Sequence, residues 1–425
     1  VTGSIGYGAV SRGAEKTARW AAVALGFSIP ISVALDSILA LVILLAWLLT
    51  VGYRGRHVLS LSKRSDVIRA NPVAWLAIAL FCLYLAGCAY SIGNQEDILN
   101  SLGKAARLMF IPLLLIVFQD AGTHRRAWYG FIGAMLLTLA LSYLLWLGLL
   151  PQWEFIRGSA ANPTIFKLHI THNLFMAFTA FACAVQVRYA ATPRRRVIWA
   201  ALAVLAVFNV LFMVQGRTGH LVLLVLLVYL GIAWLRWRGV AIALAAVAAL
   251  AVLAYALPSS SLHQRAVLAY QEFSVTQPDV AADTGSSIGL RMEFYRNTLE
   301  IVRQHPLLGV GTGGFRQAYA DRVHDTGRVA THNPHNEYLM VAAQLGLVGL
   351  ALLLALFAVQ WRAAARLSTM REQMLARGMV LSIMVASAVS STLIDHAEGW
   401  FYIWMSGLLF AALKSATPMA GTHPQ

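Results

Sequence analysis

Charge is scarce in this sequence: 12% of its 425 residues are Asp, Glu, Lys or Arg, while 59% are hydrophobic. A water-soluble fold needs far more polar surface to cover its core, so the composition excludes one and makes the bilayer the solvent. Cysteine is scarce too. Cys82, Cys88 and Cys183 all lie in apolar stretches, where a thiol acts as a small hydrophobe, so neither a disulfide framework nor a cysteine-based metal site is expected. No His-Glu-x-x-His or Asp-x-Asp pattern occurs, which leaves a metal centre without its usual signature. A small-residue cleavage site after the first apolar run is also lacking, so that run is expected to stay in the membrane. The chain starts at Val1 rather than Met, and its first dozen residues are expected to be processed or foreign sequence.

What the sequence has is apolar runs. Twelve are long enough to cross roughly 30 Å of hydrocarbon: 17–32, 35–53, 72–92, 104–119, 127–150, 165–187, 197–214, 219–235, 239–257, 335–360, 377–394 and 398–415. They predict an all-α integral membrane protein with about twelve transmembrane helices. Residues 1–257 would form helices one to nine, 258–334 one large outer segment, and 335–425 the last three helices and a tail. The net charge of +15 would suggest nucleic acid in a soluble protein. Here the basic residues flank apolar runs, as orientation signals do, and no nucleic-acid partner is expected. Basic residues such as Arg54, Arg125, Arg194 and Arg371 gather in alternate loops, a pattern that predicts both termini in the cytoplasm and residues 258–334 on the outer side of the membrane.

That outer segment carries seven arginines, Arg265, Arg291, Arg296, Arg303, Arg316, Arg322 and Arg328, and no lysine. Guanidinium groups of this density suit bidentate binding of phosphate or carboxylate. Within it, Ser286 to Gln304 reads as an amphipathic helix with Leu290, Phe294, Ile301 and Val302 near one face, ended by Pro306. Gly309, Gly311 and Gly314 then match the dinucleotide-binding spacing G-x-G-x-x-G, but no strand precedes them. A flexible turn beside the membrane is the expected role.

The strongest constellation is His332-Asn333-Pro334-His335-Asn336-Glu337, where the outer segment re-enters the membrane. A neutral imidazole there can take a proton from a sugar hydroxyl, with flanking asparagines to orient it. The plainer reading is a helix cap by Asn333 or Asn336. Pro334 interrupts the helix that would align His332 and His335 on a metal. Arg217, in Gln215-Gly216-Arg217-Thr218, sits at an outer membrane interface and needs an anion, from protein, ligand or lipid headgroup. Arg291 binds an anion or forms an ordinary surface ion pair. His169 and His172 lie in the sixth run, where an interhelical hydrogen bond is the expected role and substrate contact the alternative. Asp395, His396 and Glu398 either orient the main histidine or cap the last helix.

Together these residues resemble the O-antigen ligase family, whose central region is shared with O-antigen polymerases and bacterial protein O-oligosaccharyltransferases. The family's histidine motif is met by His335, Asn336, Gly346 and Gly349. Arg217 falls in its polar-Arg turn, Arg291 in its Gly-x-Arg helix, and His305 to Gly311 resembles its Pro-x-x-Gly-x-Gly turn. Gly216 stands where serine is more usual. The resemblance implies a glycosyltransferase C-like fold and a metal-independent, inverting transfer of a glycan from undecaprenyl diphosphate to the lipid A–core oligosaccharide, with no cofactor. His335 would be the base, Arg217, Arg291 and Arg265 would bind the donor diphosphate, and Asn336, His332, Asp395 and His172 would support them. A polyprenyl-linked glycan transporter is the rival from another class. It would need polar groups along a path through the membrane, whereas here they cluster at one face.

Overall fold

The computed structural model describes residues 2–54, 66–151, 153–236, 287–326 and 328–413, with isolated positions 238, 239, 241 and 245. The ninth apolar run and Arg265 therefore lie outside the described residues. The helices are α1 (Thr2–Ser28), α2 (Val33–Arg54), α3 (Pro72–Gly87), α4 (Gln95–Ala106), α5 (Phe110–Val117), α6 (Ala121–Trp146) and α7 (His169–Tyr189). They continue as α8 (Pro193–Phe208), α9 (Arg217–Leu235), α10 (Ser287–Gln304), α11 (Phe315–Val323), α12 (Glu337–Ala364), α13 (Met370–Ser387) and α14 (His396–Phe410). The described residues contain no sheet, only an isolated bridge between Ser159 and Asn162.

Local chemistry fixes many helix starts. Asn71 caps α3 ahead of Pro72, Asn94 accepts from Asp97 N, Asp120 from Thr123 N, and Thr369 forms a reciprocal capping box with Glu372. Each cap satisfies donors that a helix start leaves open. Among the described residues, eight segments are long and apolar enough to cross a membrane: α2, α3, α4 with α5, α6, α7, α8 with the following π turn, α9 and α12. The architecture is a multi-pass helical membrane bundle.

The bundle is centred on α14. Its 15 residues span only about 22 Å at 1.5 Å each, yet every residue from Ala397 to Phe410 is buried. A helix apolar on all sides belongs inside. Phe401 packs on Phe175 at 4.8 Å, Phe178 at 5.3 Å and Phe131 at 5.6 Å, and Trp404 lies edge-on to Phe118. Such ring pairs contribute about 0.5–1.5 kcal/mol each beyond burial. Trp404 Nε1 donates to Ala22 O at 2.9 Å, and a Cβ on Gly26 would fall 2.1 Å from the indole. Small residues bring helices this close where lipid offers no hydrophobic drive to associate.

Contacts sort the helix ends. At one end, Asn71 Nδ2 donates to Phe410 O, Gln119 Nε2 to Ala411 O, and Arg19 faces Asp120 at 3.4 Å. Tyr189 with Met374 and Tyr229 with Trp361 lie toward that same end of α7, α9, α12 and α13. At the other end gather the N-termini of α7, α9, α12 and α14 and the C-terminus of α13. Arg217, His335 and Asp395 therefore share one end of the bundle.

The glycine-rich turn differs from the flexible turn expected of it. α12 is broken at Gly346, whose φ of 66° and ψ of −166° are non-helical. The turn from Pro306 to Gly313 docks at this break, about 14 Å along the helix. Leu347 N donates to Pro306 O at 2.7 Å, and Val310 N and Gly311 N donate to Ala343 O and Gln344 O, both at 2.9 Å. On the α3 side Thr312 N donates to Gly87 O and Thr312 Oγ1 to Tyr84 O. Irregular backbone at membrane depth persists only where protein satisfies its polar groups, and these bonds do so.

Candidate active site

His335 has φ 56°, a left-handed conformation unusual for a residue with a side chain. Its surroundings hold it there. Its N–H donates to Asn333 Oδ1 at 2.8 Å, and that same oxygen takes the Ser391 hydroxyl at 2.7 Å. The next residue, Asn336, caps α12 by accepting from Leu339 N at 3.0 Å and donates from Nδ2 to Ala388 O at 2.9 Å. The capping reading is thus correct for Asn336, and the cap is what fixes the histidine before it. Backbone strain of this kind costs about 1–3 kcal/mol and gathers at functional sites.

The imidazole is half-buried and stacked on Phe294 of α10, with ring centres 6.3 Å apart. Neither ring nitrogen is committed to a hydrogen bond among the described residues. Tyr295 of α10 donates to His335 O at 3.3 Å. Burial, then the Arg291 guanidinium, then His332 hold the imidazole below its ordinary value. Arg291 also opposes the upward push of burial on the Tyr295 phenol. The structure therefore brings His335, Arg291 and Tyr295 together and leaves the ring neutral at pH 7, as a proton acceptor must be.

α10 presents its predicted face: Phe294 and Ile301 are buried with Phe315, Tyr319 and Met340, and Leu290 and Val302 pack at the edge. Glu293 faces Arg328 at 3.8 Å rather than neutralising the site. Arg217, exposed at the start of α9, follows a π turn over Asn209–Met213 and an extended step at Val214 and Gly216. Asn173 of α7 fixes that step by donating to Val214 O at 3.1 Å. Gly216 is needed there, because a Cβ would lie 2.6 Å from Asn173 Nδ2.

The supporting residues divide. His332 lines a cavity of about 90 Å³ with Lys104, Arg316, Glu337 and Gln344. Asp395 makes no cap bond to α14; burial raises its carboxyl, opposed by Lys104, Arg107 and His332, and it lines a different hollow from His332. His172 is buried and bonded to Asn209 Oδ1 at 3.0 Å, and Asn209 donates to Ser142 at 2.8 Å, which gives it the interhelical role. Sequence reading missed Ser391 and gave Glu337 no role of its own. Glu337 is fully buried and accepts from Leu393 N at 3.0 Å, so Asn333, Asn336 and Glu337 all grip the turn 388–396. A serine-rich stretch ahead of Asp395 was the available signal. Among the described residues no group of His, Cys, Asp or Glu is arranged to hold a metal ion.

The family model described as O-antigen ligase matches residues 201–354. This stretch is similar to the O-antigen ligase family. It contains Arg217, Arg291, His335, Gly346 and Gly349, so both arginines, the strained histidine and the broken helix fall within the matched stretch. The chain is also similar to a chain of a solved peptidoglycan synthase complex, one described for its structural coordination of polymerization and crosslinking. That similarity covers 80% of this chain and 96% of the other, with 18% identity and a TM-score of 0.47. A comparison with curated proteins gives no match.

Proposed function

We propose that the protein is an inverting glycosyltransferase of the O-antigen ligase type, working at the periplasmic face of a Gram-negative inner membrane. The observation that carries this reading is the His335 imidazole, held in a left-handed backbone by Asn333, uncommitted at both nitrogens and beside Arg291. The acceptor, a hydroxyl of lipid A–core oligosaccharide, gives its proton to His335 as its oxygen attacks the anomeric carbon. The bond from that carbon to the undecaprenyl diphosphate oxygen breaks, and the configuration inverts. Arg291 and Arg217 hold the charge that develops on the departing diphosphate, with Arg265 as a third cation.

Both substrates are lipid-anchored, and a site at the helix ends meets them at headgroup depth. The decisive experiment is acceptor-dependent glycan transfer by purified protein. His335→Ala is expected to abolish transfer while inserting and melting as the parent does; near-parental transfer would remove the base. Incubation with each acceptor class separates ligase from polymerase and protein oligosaccharyltransferase. Transfer is expected to survive EDTA, and loss restored by a divalent ion would refute metal independence.

A further inference from the structure

A second hollow opens at the same end of the bundle, outside the machinery just described. The connection between α6 and α7 folds back on itself: Arg157 N donates to Ile165 O at 2.8 Å and Gly158 N to Thr164 O at 2.9 Å. This hairpin leans over the α1–α2 turn and the start of α7. Two adjoining cavities of about 460 and 560 Å³ lie beneath it and share Val33, Arg157, Phe166 and Lys167. Asp395, His396 and Glu398, at the start of α14, complete the wall of one of them.

Charged side chains back this hollow. Lys167 is 8% exposed, and its Nζ lies 4.0 Å from Asp36 Oδ2, too far for a hydrogen bond. Asp36 is fully buried; Ser28 donates to its Oδ1 at 2.6 Å, and its Oδ2 stands 3.6 Å from His396 Nε2. Lys167 Nζ, Asp36 Oδ2 and His396 Nε2 all lack a hydrogen-bond partner among the described residues. The three instead meet one another as a buried charge cluster behind the wall of the hollow, which Lys167 and His396 line and Asp36 does not.

Beside them runs a row of aromatic rings. Trp153 stacks on Phe155 at 5.3 Å and Phe155 on Phe166 at 5.7 Å, with Trp153 45% and Phe155 47% exposed. A bare anion would meet the Asp395 and Glu398 carboxylates, and a lipid tail needs no polar partner. A sugar fits both features. Its hydroxyls donate to carboxylates and accept from Lys167 and Arg157, and its apolar ring faces pack on aromatic faces.

The turn 388–396 joins this hollow to His335. Ser391 bonds Asn333, while Asp395, four residues on, lines the hollow, a reach of at most about 14 Å. We propose that the hollow is a glycan subsite, holding non-reacting sugars of the acceptor oligosaccharide while its reacting hydroxyl lies at His335. This rests on the transfer reaction proposed above, which assigns Arg217 and Arg291 to the donor and leaves this hollow to the other substrate.

The test uses the full chain in nanodiscs and, as probe, core oligosaccharide freed from lipid A by mild acid. Phe155→Ala and Arg157→Gln change exposed side chains, so folding is preserved. Each is expected to weaken oligosaccharide binding by about tenfold or more. Each should raise KM for acceptor correspondingly, with kcat and donor KM near parental values. Unchanged binding and acceptor KM in both variants would overturn the subsite, as would a rise in donor KM instead. So would variants that alter only the phosphatidylglycerol retained by the protein, which would make the hollow a headgroup site. His335→Ala should bind the oligosaccharide normally. Normal transfer by that variant would refute the reaction while leaving binding intact, so the two failures are distinguishable.

Discussion

Substituting alanine for Gly346 tests whether the break in α12 is what aligns the two halves of the site. Gly346 has φ 66°, and a Cβ there would lie 2.1 Å from Leu307 O and 2.2 Å from Leu307 C, both backbone atoms. Forcing a side chain into the left-handed region costs roughly 1–2 kcal/mol. Moving the turn away also breaks the bonds from Leu347 N to Pro306 O and from Val310 N and Gly311 N to α12 carbonyls. Two or three such bonds contribute about 1 kcal/mol each, so Gly346→Ala should cost about 3–5 kcal/mol. The same turn continues directly from α10, which carries Arg291. Protein that still folds should therefore lose about a hundredfold in kcat/KM, the usual result of an ångström-scale misplacement. The assay is thermal melting with glycan transfer, beside Gly133→Ala, where a new Cβ meets nothing within 4 Å. If Gly346→Ala melted and transferred like Gly133→Ala, the docked turn would not be what positions Arg291.

Arg291→Gln removes a cation that holds the His335 imidazole below its ordinary value. The histidine pKa should rise, and the acidic limb of kcat/KM against pH should move to higher pH; an unmoved limb would separate the two residues. Arg217→Lys keeps the charge but loses the fork, and kcat/KM should fall about 10- to 100-fold. Normal transfer would exclude bidentate phosphate binding there. Asn209→Ala strands His172 and should cost about 1–3 kcal/mol in stability, read as a lower melting temperature with KM unchanged; a raised KM with parental stability would move His172 into the binding site.

Hydrophobic run length located eight of the twelve expected spans among the described residues, because a membrane crossing demands apolar residues in unbroken series. It missed starts made of polar turns. α4 begins at Gln95 rather than near 104, since its amphipathic first turns are capped by Asn94, and α7 begins at His169 because residues from Arg157 to Ile165 form a hairpin instead. Arg291 and His335 were legible as residue types at a boundary, and the structure brings them together through Phe294. The grip of Asn333 on Ser391 was not legible, because it joins residues 58 apart in sequence. Asp36 and Lys167 lie inside two separate apolar runs, and only the tertiary fold makes them neighbours. The glycine-rich turn was misread as flexible because glycine signals permitted conformations, not the partners that lock one of them.

That lock limits where the protein can yield during the proposed transfer. A segment stitched on one side to α3 and on the other into the gap of α12 cannot swing at its stitched end without parting several bonds at once. Any breathing of the arginine-bearing helix must therefore carry the stitched turn and the histidine's helix along as one piece, keeping the cation and the base in register through each opening.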